Sequence, residues 1–258
     1  MNSWFLIDHG PLDGSLNMAC DEFLLQEGYD RPVLRFYQWA TPTLSLGISQ
    51  KVDRHVDEKA CIANGVDIVR RITGGKAVLH DRELTYSITG SMEQPPFDVD
   101  LISSYGKIAE AFCRAFQKLN IPAEMAPATT RAAPGGVTSC FANPSACEIV
   151  VQGKKLLGSA QKRTRSRVLQ HGSLLIEYSG ELWDSVMKRK LPVGHHRIAC
   201  LKDILDGSVH LPELKDSLVV AFEEQFGVVL EKLEISGSDW EEIEKLARDK
   251  YSEPVPGA

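Results

Sequence analysis

The sequence predicts an α+β fold: a mixed, mostly antiparallel sheet flanked by helices. Short β-branched and aromatic runs outnumber helical segments up to about residue 180. Their connections are short, which favours antiparallel neighbours over parallel strands joined by crossovers. The last sixty residues change to helical spacing. A chain of 258 residues can bury roughly 70 to 75% of its unfolded surface. It is expected to form one domain over 1–258, with 190–258 as a helical C-terminal subregion.

The elements follow in order. WFLID reads as a first strand, and SLNMACDEFLLQE (15–27) as a helix with Leu16, Ala19, Phe23 and Leu24 on one side and Ser15 as N-cap. VLRFYQW and TLSLGIS are two strands divided by the turn at Thr41-Pro42. Asp53 to Asn64 reads as a helix stopped by Gly65. VDIVRRITGGKAVLHDRELTYSITG gives strands around a Gly-Gly bend, with AVLH and ELTYSIT alternating at period two. In SSYGKIAEAFCRAFQKLN, Ile108, Ala111, Phe112, Ala115 and Phe116 recur at helical spacing, and Cys113 reads as core filler. Ala126 to Val137 is a loop by composition. CEIVVQ and KKLLGSAQ form a hairpin turning at Gln152-Gly153, and VLQHGSLLIEY is a further strand. Leu201–Ile204, Leu211–Phe226 and Ser238–Tyr251 read as helices, the last opening on a Ser238-Asp239-Trp240-Glu241 capping box.

Composition narrows the function. Apolar residues make up 43% and charged residues 25%, and no apolar run approaches the ~18 residues of a membrane span. MNSWFLIDHG lacks the basic start of a signal peptide, so a cytoplasmic setting is expected. Six cysteines, at 20, 61, 113, 140, 147 and 200, show neither a C-x-x-C pair nor a disulfide framework. A net charge of -6 argues against nucleic acid as a partner. Basic residues nevertheless gather at Arg70, Arg71, Lys76 and Arg82, and again from Lys154 and Lys155 through Lys162, Arg163, Arg165 and Arg167. Each group is either a solvated face or a contact for an acidic macromolecule.

No dinucleotide fingerprint, P-loop, H-E-x-x-H or G-x-S-x-G occurs, and no metal site is expected. Gly74-Gly75 is either a plain turn or a place where backbone N–H groups approach a ligand. His80, followed by Asp81, and His171 each stand at a strand position where a carboxylate could orient the ring. Cys140 follows a Gly-rich stretch and precedes a Pro-Ser turn, with basic residues downstream that would lower a thiol pKa. Cys147 is its rival, although Glu148 beside it disfavours a thiolate. Chemistry alone leaves the choice between them open.

Together, NMACDE (17–22), LRFYQWATPTLSLGISQ (34–50), RRITGGKAVLHDRELTYS (70–87), SCFANPSACEI (139–149), GKKLLGSAQKR (153–163) and LQHGSLL (169–175) resemble the lipoate-protein ligase A family, and within it the cysteine-dependent octanoyltransferase branch. The resemblance implies the catalytic-domain fold of biotin and lipoate ligases, with an acyl tunnel lined by the R-R-x-T-G-G loop. It implies movement of an octanoyl group from octanoyl-acyl carrier protein to a lysine of a lipoyl domain, such as the H protein of glycine cleavage. Cys140, in S-C-F-x-x-P-S, stands where that branch carries its nucleophile. Cys147 stands where the family usually has an aromatic residue.

By the same resemblance Lys155 would stabilise the acyl oxyanion. Arg71, Thr73, Gly74, Gly75, His80, Gly158, Ser159, Ala160 and His171 would hold the acyl group. A transferase would need no cofactor; an ATP-dependent lipoate-protein ligase, the competing family activity, would need ATP and Mg. A lipoyl-relay amidotransferase is a third family reading. The alternative from another class is a non-catalytic protein that binds acyl groups or lipoyl domains, which the nucleophile and lysine argue against.

Overall fold

The computed structural model describes residues 2–126, 147–189, 195–207 and 209–252. The chain opens with strand β1 (Asn2–Leu12), helix α1 (Gly14–Gln26), β2 (Val33–Trp39) and β3 (Thr43–Leu46). Two short helices, α2 (Val52–His55) and α3 (Glu58–Ala63), precede β4 (Asp67–Arg70), β5 (Val78–His80) and β6 (Glu83–Ser91). Helix α4 (Leu101–Lys118) and strands β7 (Ala123–Met125), β8 (Ile149–Val151), β9 (Lys154–Arg163) and β10 (Arg167–Leu175) follow. The rest comprises α5 (Gly180–Val186), α6 (Leu201–Ile204), α7 (Leu211–Phe226), β11 (Val228–Lys232) and α8 (Gly237–Leu246), which runs on into a wider turn to Tyr251. No helix among the described residues is long and apolar enough to cross a membrane.

One sheet runs in the order β11-β1-β2-β6-β10-β9-β8-β7, and a small one in the order β4-β3-β5. The large sheet is antiparallel except at β1, which pairs in parallel with both β2 and β11. Strand β11 lies in a stretch expected to be helical. Its five residues are too few and too exposed for a strong alternating pattern, and only Val228 of them is buried.

The strands' period-two alternation gives the large sheet two different faces. Leu34 and Phe36 of β2, Leu84, Tyr86 and Ile88 of β6, and Val168 and Leu174 of β10 face α4 and α7 in one apolar core. The opposite face meets α1 and α8 through Ile7, Val33, Tyr37 and Leu169. Its centre is polar, carrying Arg35, Thr85, Ser87, His171 and Ser173, all buried. The small sheet, with α2, α3 and α5, closes over that side through a third apolar cluster containing Leu44, Leu46, Val78 and Trp183.

Local details refine the sequence reading. Asp13, not Ser15, is the N-cap residue of α1. Val56, extended at φ -111°, divides the expected 53–64 helix in two. Ser236, not Ser238, caps α8 by accepting from Asp239 N–H. The hairpin turn falls as expected at Gln152 and Gly153, both left-handed (φ 50° and 73°), the geometry that fits strand twist.

Candidate active site

Between the polar face of the large sheet and the small sheet lies a narrow cavity of about 30 Å3, room for little more than a water molecule. Of the residues singled out in the sequence, Arg71, His80, Gly158, Ser159, Ala160 and His171 line it, with Met18, Tyr37, Trp39, Ser45, Thr85 and Ser173. Thr73 is buried one hydrogen bond behind His171. Gly74 and Gly75 are exposed at the end of the same loop, Gly75 with a left-handed φ of 92°. The loop 47–50 packs on them: Ile48 N–H donates to the Thr73 carbonyl at 2.9 Å.

Arg71 organises this end. Its Nε donates to Thr73 Oγ1 (3.1 Å), Nη1 to the Ser45 carbonyl and Oγ (3.1 and 3.0 Å), and Nη2 to the carbonyls of Gly74 and Lys76 (2.8 and 2.7 Å). The loop's shape is therefore built on the guanidinium. Behind it, Thr73 Oγ1 is 2.7 Å from His171 Nε2, and His171 Nδ1 is 2.9 Å from Asp21 Oδ2. Ser45 Oγ is 2.8 Å from His80 Nε2, and His80 Nδ1 is 2.7 Å from Glu83 Oε1. Two carboxylate–imidazole–hydroxyl chains thus converge on one arginine.

Asp21 also accepts from Arg35 Nη1 (2.8 Å), Ser87 Oγ (2.8 Å) and Tyr37 OH (2.9 Å). Burial alone would raise its pKa, but the hydrogen bond from His171 and the Arg35 charge hold the carboxyl below the usual range. Burial lowers the His171 pKa, against the pull of Asp21, so the ring is neutral near pH 7. Glu83 accepts from Thr85 Oγ1 and from Ser173 as well as His80. Trp39 stacks on His80 with centroids 4.0 Å apart and donates its indole N–H to Thr85.

Lys155 reaches the site's face through an irregularity in β9. Ile149 pairs with Leu157 but Val150 with Lys155, which leaves Leu156 as the extra residue of a bulge. Leu156 and Leu157 both enter the α4-side core, so Lys155 emerges on the face of Gly158 and Ala160. The side chain is wholly buried and paired with Glu148. It does not line the cavity. Lys154 is exposed, as expected.

Cys140 lies outside the described residues. Cys147 does not sit in a strand: it occupies a left-handed turn position (φ 65°) before β8, its Sγ 3.8 Å from the Ile102 carbonyl. Burial, with Glu110, raises its pKa, which disfavours the thiolate. The basic run is only partly available as a surface. Arg163 turns inward to Gln161, Ser104 and the Val99 carbonyl, and Arg167 packs against Gly28.

Sequence reasoning missed Asp21, Ser45, Glu83 and Glu148. Each is a buried polar residue, Asp21, Ser45 and Glu83 on a helix or strand and Glu148 immediately before β8. That placement was the available signal, because such groups are retained only where they find partners.

A model of the family described as lipoyl protein ligase A/B catalytic domain matches residues 13–223. The chain is 38% identical to octanoyltransferase LipM of Carboxydothermus hydrogenoformans, over 98% of this chain and 97% of that protein. It is 35% identical to octanoyltransferase LipM of Geobacillus kaustophilus, over 96% and 95%. Its fold is similar to that of lipoate-protein ligase A bound with ATP, at a TM-score of 0.82 and 24% identity, covering 98% and 97% of the two chains. A bi-partite lipoate protein ligase from Thermoplasma acidophilum, solved with its E2 lipoyl domain, gives a TM-score of 0.73 at 22% identity, covering 96% and 92%.

Proposed function

Since the chain belongs to the lipoyl protein ligase A/B catalytic domain family, we infer that it is an octanoyltransferase, an acyltransferase of lipoate assembly. The observation that carries this is the likeness to proteins of that name over nearly the entire length of both chains. A lipoyl domain is the acceptor, in keeping with the domain that accompanies the Thermoplasma ligase.

The finer steps extend that reading. The Cys140 thiolate attacks the carbonyl carbon of the octanoyl thioester on acyl carrier protein. The new S–C bond forms as the carrier's S–C bond breaks, and the carrier thiolate leaves and takes a proton. The acceptor lysine's neutral amine then attacks the octanoyl-enzyme, the amide N–C bond forms, Cys140 thiolate leaves, and the amine's surplus proton passes to solvent or a nearby base. Thioester exchange is close to thermoneutral and amide formation from a thioester is downhill, so neither ATP nor a metal ion is required.

Lys155, buried and paired with Glu148 on the strand that carries the cavity-lining Gly158 and Ala160, is suited to stabilise the carbonyl oxygen as negative charge develops. Met18 and the glycine and alanine of β9 supply an apolar, adaptable lining. Burying an acyl tail gains about 0.8 kcal/mol per CH2, which separates octanoyl from short acyl groups. The cysteines at 20, 61, 113, 147 and 200 are free thiols, which suits a cytoplasmic setting.

The test is intact mass after incubation with octanoyl-acyl carrier protein without ATP, for wild type, Cys140→Ser and Cys147→Ser. The reading expects an octanoyl adduct that Cys140→Ser abolishes, Cys147→Ser retains, and a lipoyl domain discharges. Modification of the lipoyl domain only with ATP and free octanoate or lipoate would identify a ligase instead.

A further inference from the structure

The two chains behind Arg71 have a direction that the donors and acceptors fix. Ionised Asp21 can only accept, so His171 carries its proton on Nδ1 and presents a bare Nε2. Thr73 must then donate to Nε2, which leaves its oxygen to accept from Arg71 Nε. In the other chain Trp39 donates to Thr85, Thr85 to Glu83, and His80 Nδ1 to the same carboxylate oxygen. With His80 in the Nδ1–H tautomer, Ser45 donates to its Nε2 and accepts from Arg71 Nη1. Arg71 can only donate, and each hydroxyl sends its own proton to a bare histidine nitrogen, which leaves a lone pair turned toward the guanidinium.

We propose that Asp21 and Glu83 are positioning residues for the octanoyl cleft, acting by proton placement rather than by charge. Each sets a tautomer, each tautomer orients a hydroxyl, and the two hydroxyls grip the guanidinium that holds the Gly74 and Lys76 carbonyls. This rests on the octanoyl-transfer reading and adds to it residues that contact no acyl group.

The two carboxylates respond differently to amidation, which makes the idea testable. In Asp21→Asn the Arg35 guanidinium claims the carbonyl oxygen at the Oδ1 position, so the NH2 group faces His171 Nδ1. The ring must switch to the Nε2–H form and then donates to Thr73, whose own hydroxyl proton loses its acceptor and must turn toward the Arg71 side. In Glu83→Gln the oxygen stays at the Oε1 position, where His80 and Thr85 both donate, and the NH2 meets only Ser173, whose hydroxyl can turn. The His80 tautomer is kept.

The experiment combines side-chain 15N NMR of the histidines with octanoyl transfer from octanoyl-acyl carrier protein to a lipoyl domain. Asp21→Asn is expected to move the His171 signature from Nδ1–H to Nε2–H and to slow transfer by about 10²-fold, the scale of a 1 Å displacement of the acyl group. Glu83→Gln is expected to leave the His80 signature in place and to slow transfer by less than Asp21→Asn does.

Thr73→Val, which buries no new charge, is expected to slow transfer about as much as Asp21→Asn, and the double variant no more than the slower single. Equal losses in the two amide variants, an unmoved His171 signature, or multiplying effects in the double variant would overturn the proposal. Should Asp21→Asn not fold, Thr73→Val within about two-fold of wild type would overturn it by itself. An inactive wild type would sink the octanoyl-transfer reading, whereas the NMR signatures would still test the relay.

Discussion

A methyl group at Gly47 should disable the cleft without unfolding the protein. A Cβ built there would lie 2.1 Å from the Gly75 carbonyl oxygen, 3.0 Å from its carbon and 3.2 Å from the Gly74 carbon. Carbon and carbonyl oxygen normally approach no closer than about 3.3 Å, so one backbone segment must retreat by about 1 Å. No rotamer offers relief, because all three neighbours are main chain. The loop that retreats is the one Arg71 holds, so octanoyl transfer is expected to fall about 10²-fold. Gly74 and Gly75 are exposed, so the structural cost should stay within the roughly 1–3 kcal/mol of ordinary overpacking. At about 2–4 °C per kcal/mol for a chain of this size, the melting temperature would drop by no more than roughly 12 °C. Steady-state kinetics at 25 °C, set beside a thermal melt, separate the two effects. A Gly47→Ala protein whose kcat/KM stays within about two-fold of wild type would refute the reasoning.

Other perturbations have equally defined outcomes. Gly74→Ala meets nothing within 4 Å, so its melting temperature should match wild type, and any rise in KM for the octanoyl donor reports the acyl group passing there. Gly172→Ala would press on Tyr86 at 2.5 Å and Ser159 at 2.6 Å, and is expected to cost about 1–3 kcal/mol in urea unfolding. Met18→Phe should shift competition between octanoyl and butyryl donors toward butyryl by filling the cavity it lines. Burial and the Arg35 charge push the His9 pKa down from 6.5 to about 4. The unfolded chain therefore binds a proton that the native chain refuses between those values. Stability should fall as pH drops from about 6.5 toward 4, and His9→Gln should flatten that slope in urea titrations at pH 7, 6 and 5.

The strands and long helices were legible because their residues alternate or recur on one face; β2 and α7 keep the bounds read from the sequence, whereas α4 begins and ends two residues earlier than 103–120. What escaped depends on groups far apart in the chain. Asp21 and His171 lie 150 positions apart, and no local pattern joins them. Lys155 was legible as a candidate, but not the means by which it reaches the site. Strict alternation would send it with Leu157 into the apolar core, and only the extra residue Leu156 turns it around. Cap assignments slipped by two residues because Asp13 and Ser15, like Ser236 and Ser238, are equally good cap formers, and the competition is decided by where the preceding chain must run.

Strand β1 is hydrogen-bonded on one side to β2, a neighbour in sequence, and on the other to β11, more than two hundred residues downstream. During synthesis that second side stays open until the chain has been made past residue 228, and an open flank of N–H and C=O groups invites pairing between molecules. The final occupant is well chosen for the border of a sheet: Glu231 and Lys232 are charged and exposed, and Arg31 fastens Glu231 at 2.9 Å. A chain stopped short of Val228 would thus forfeit more than a strand. It would leave β1, with Trp4 and Leu6 along it, as an adhesive margin, so yield and self-association during expression should depend on a segment that contributes nothing to the cavity's lining.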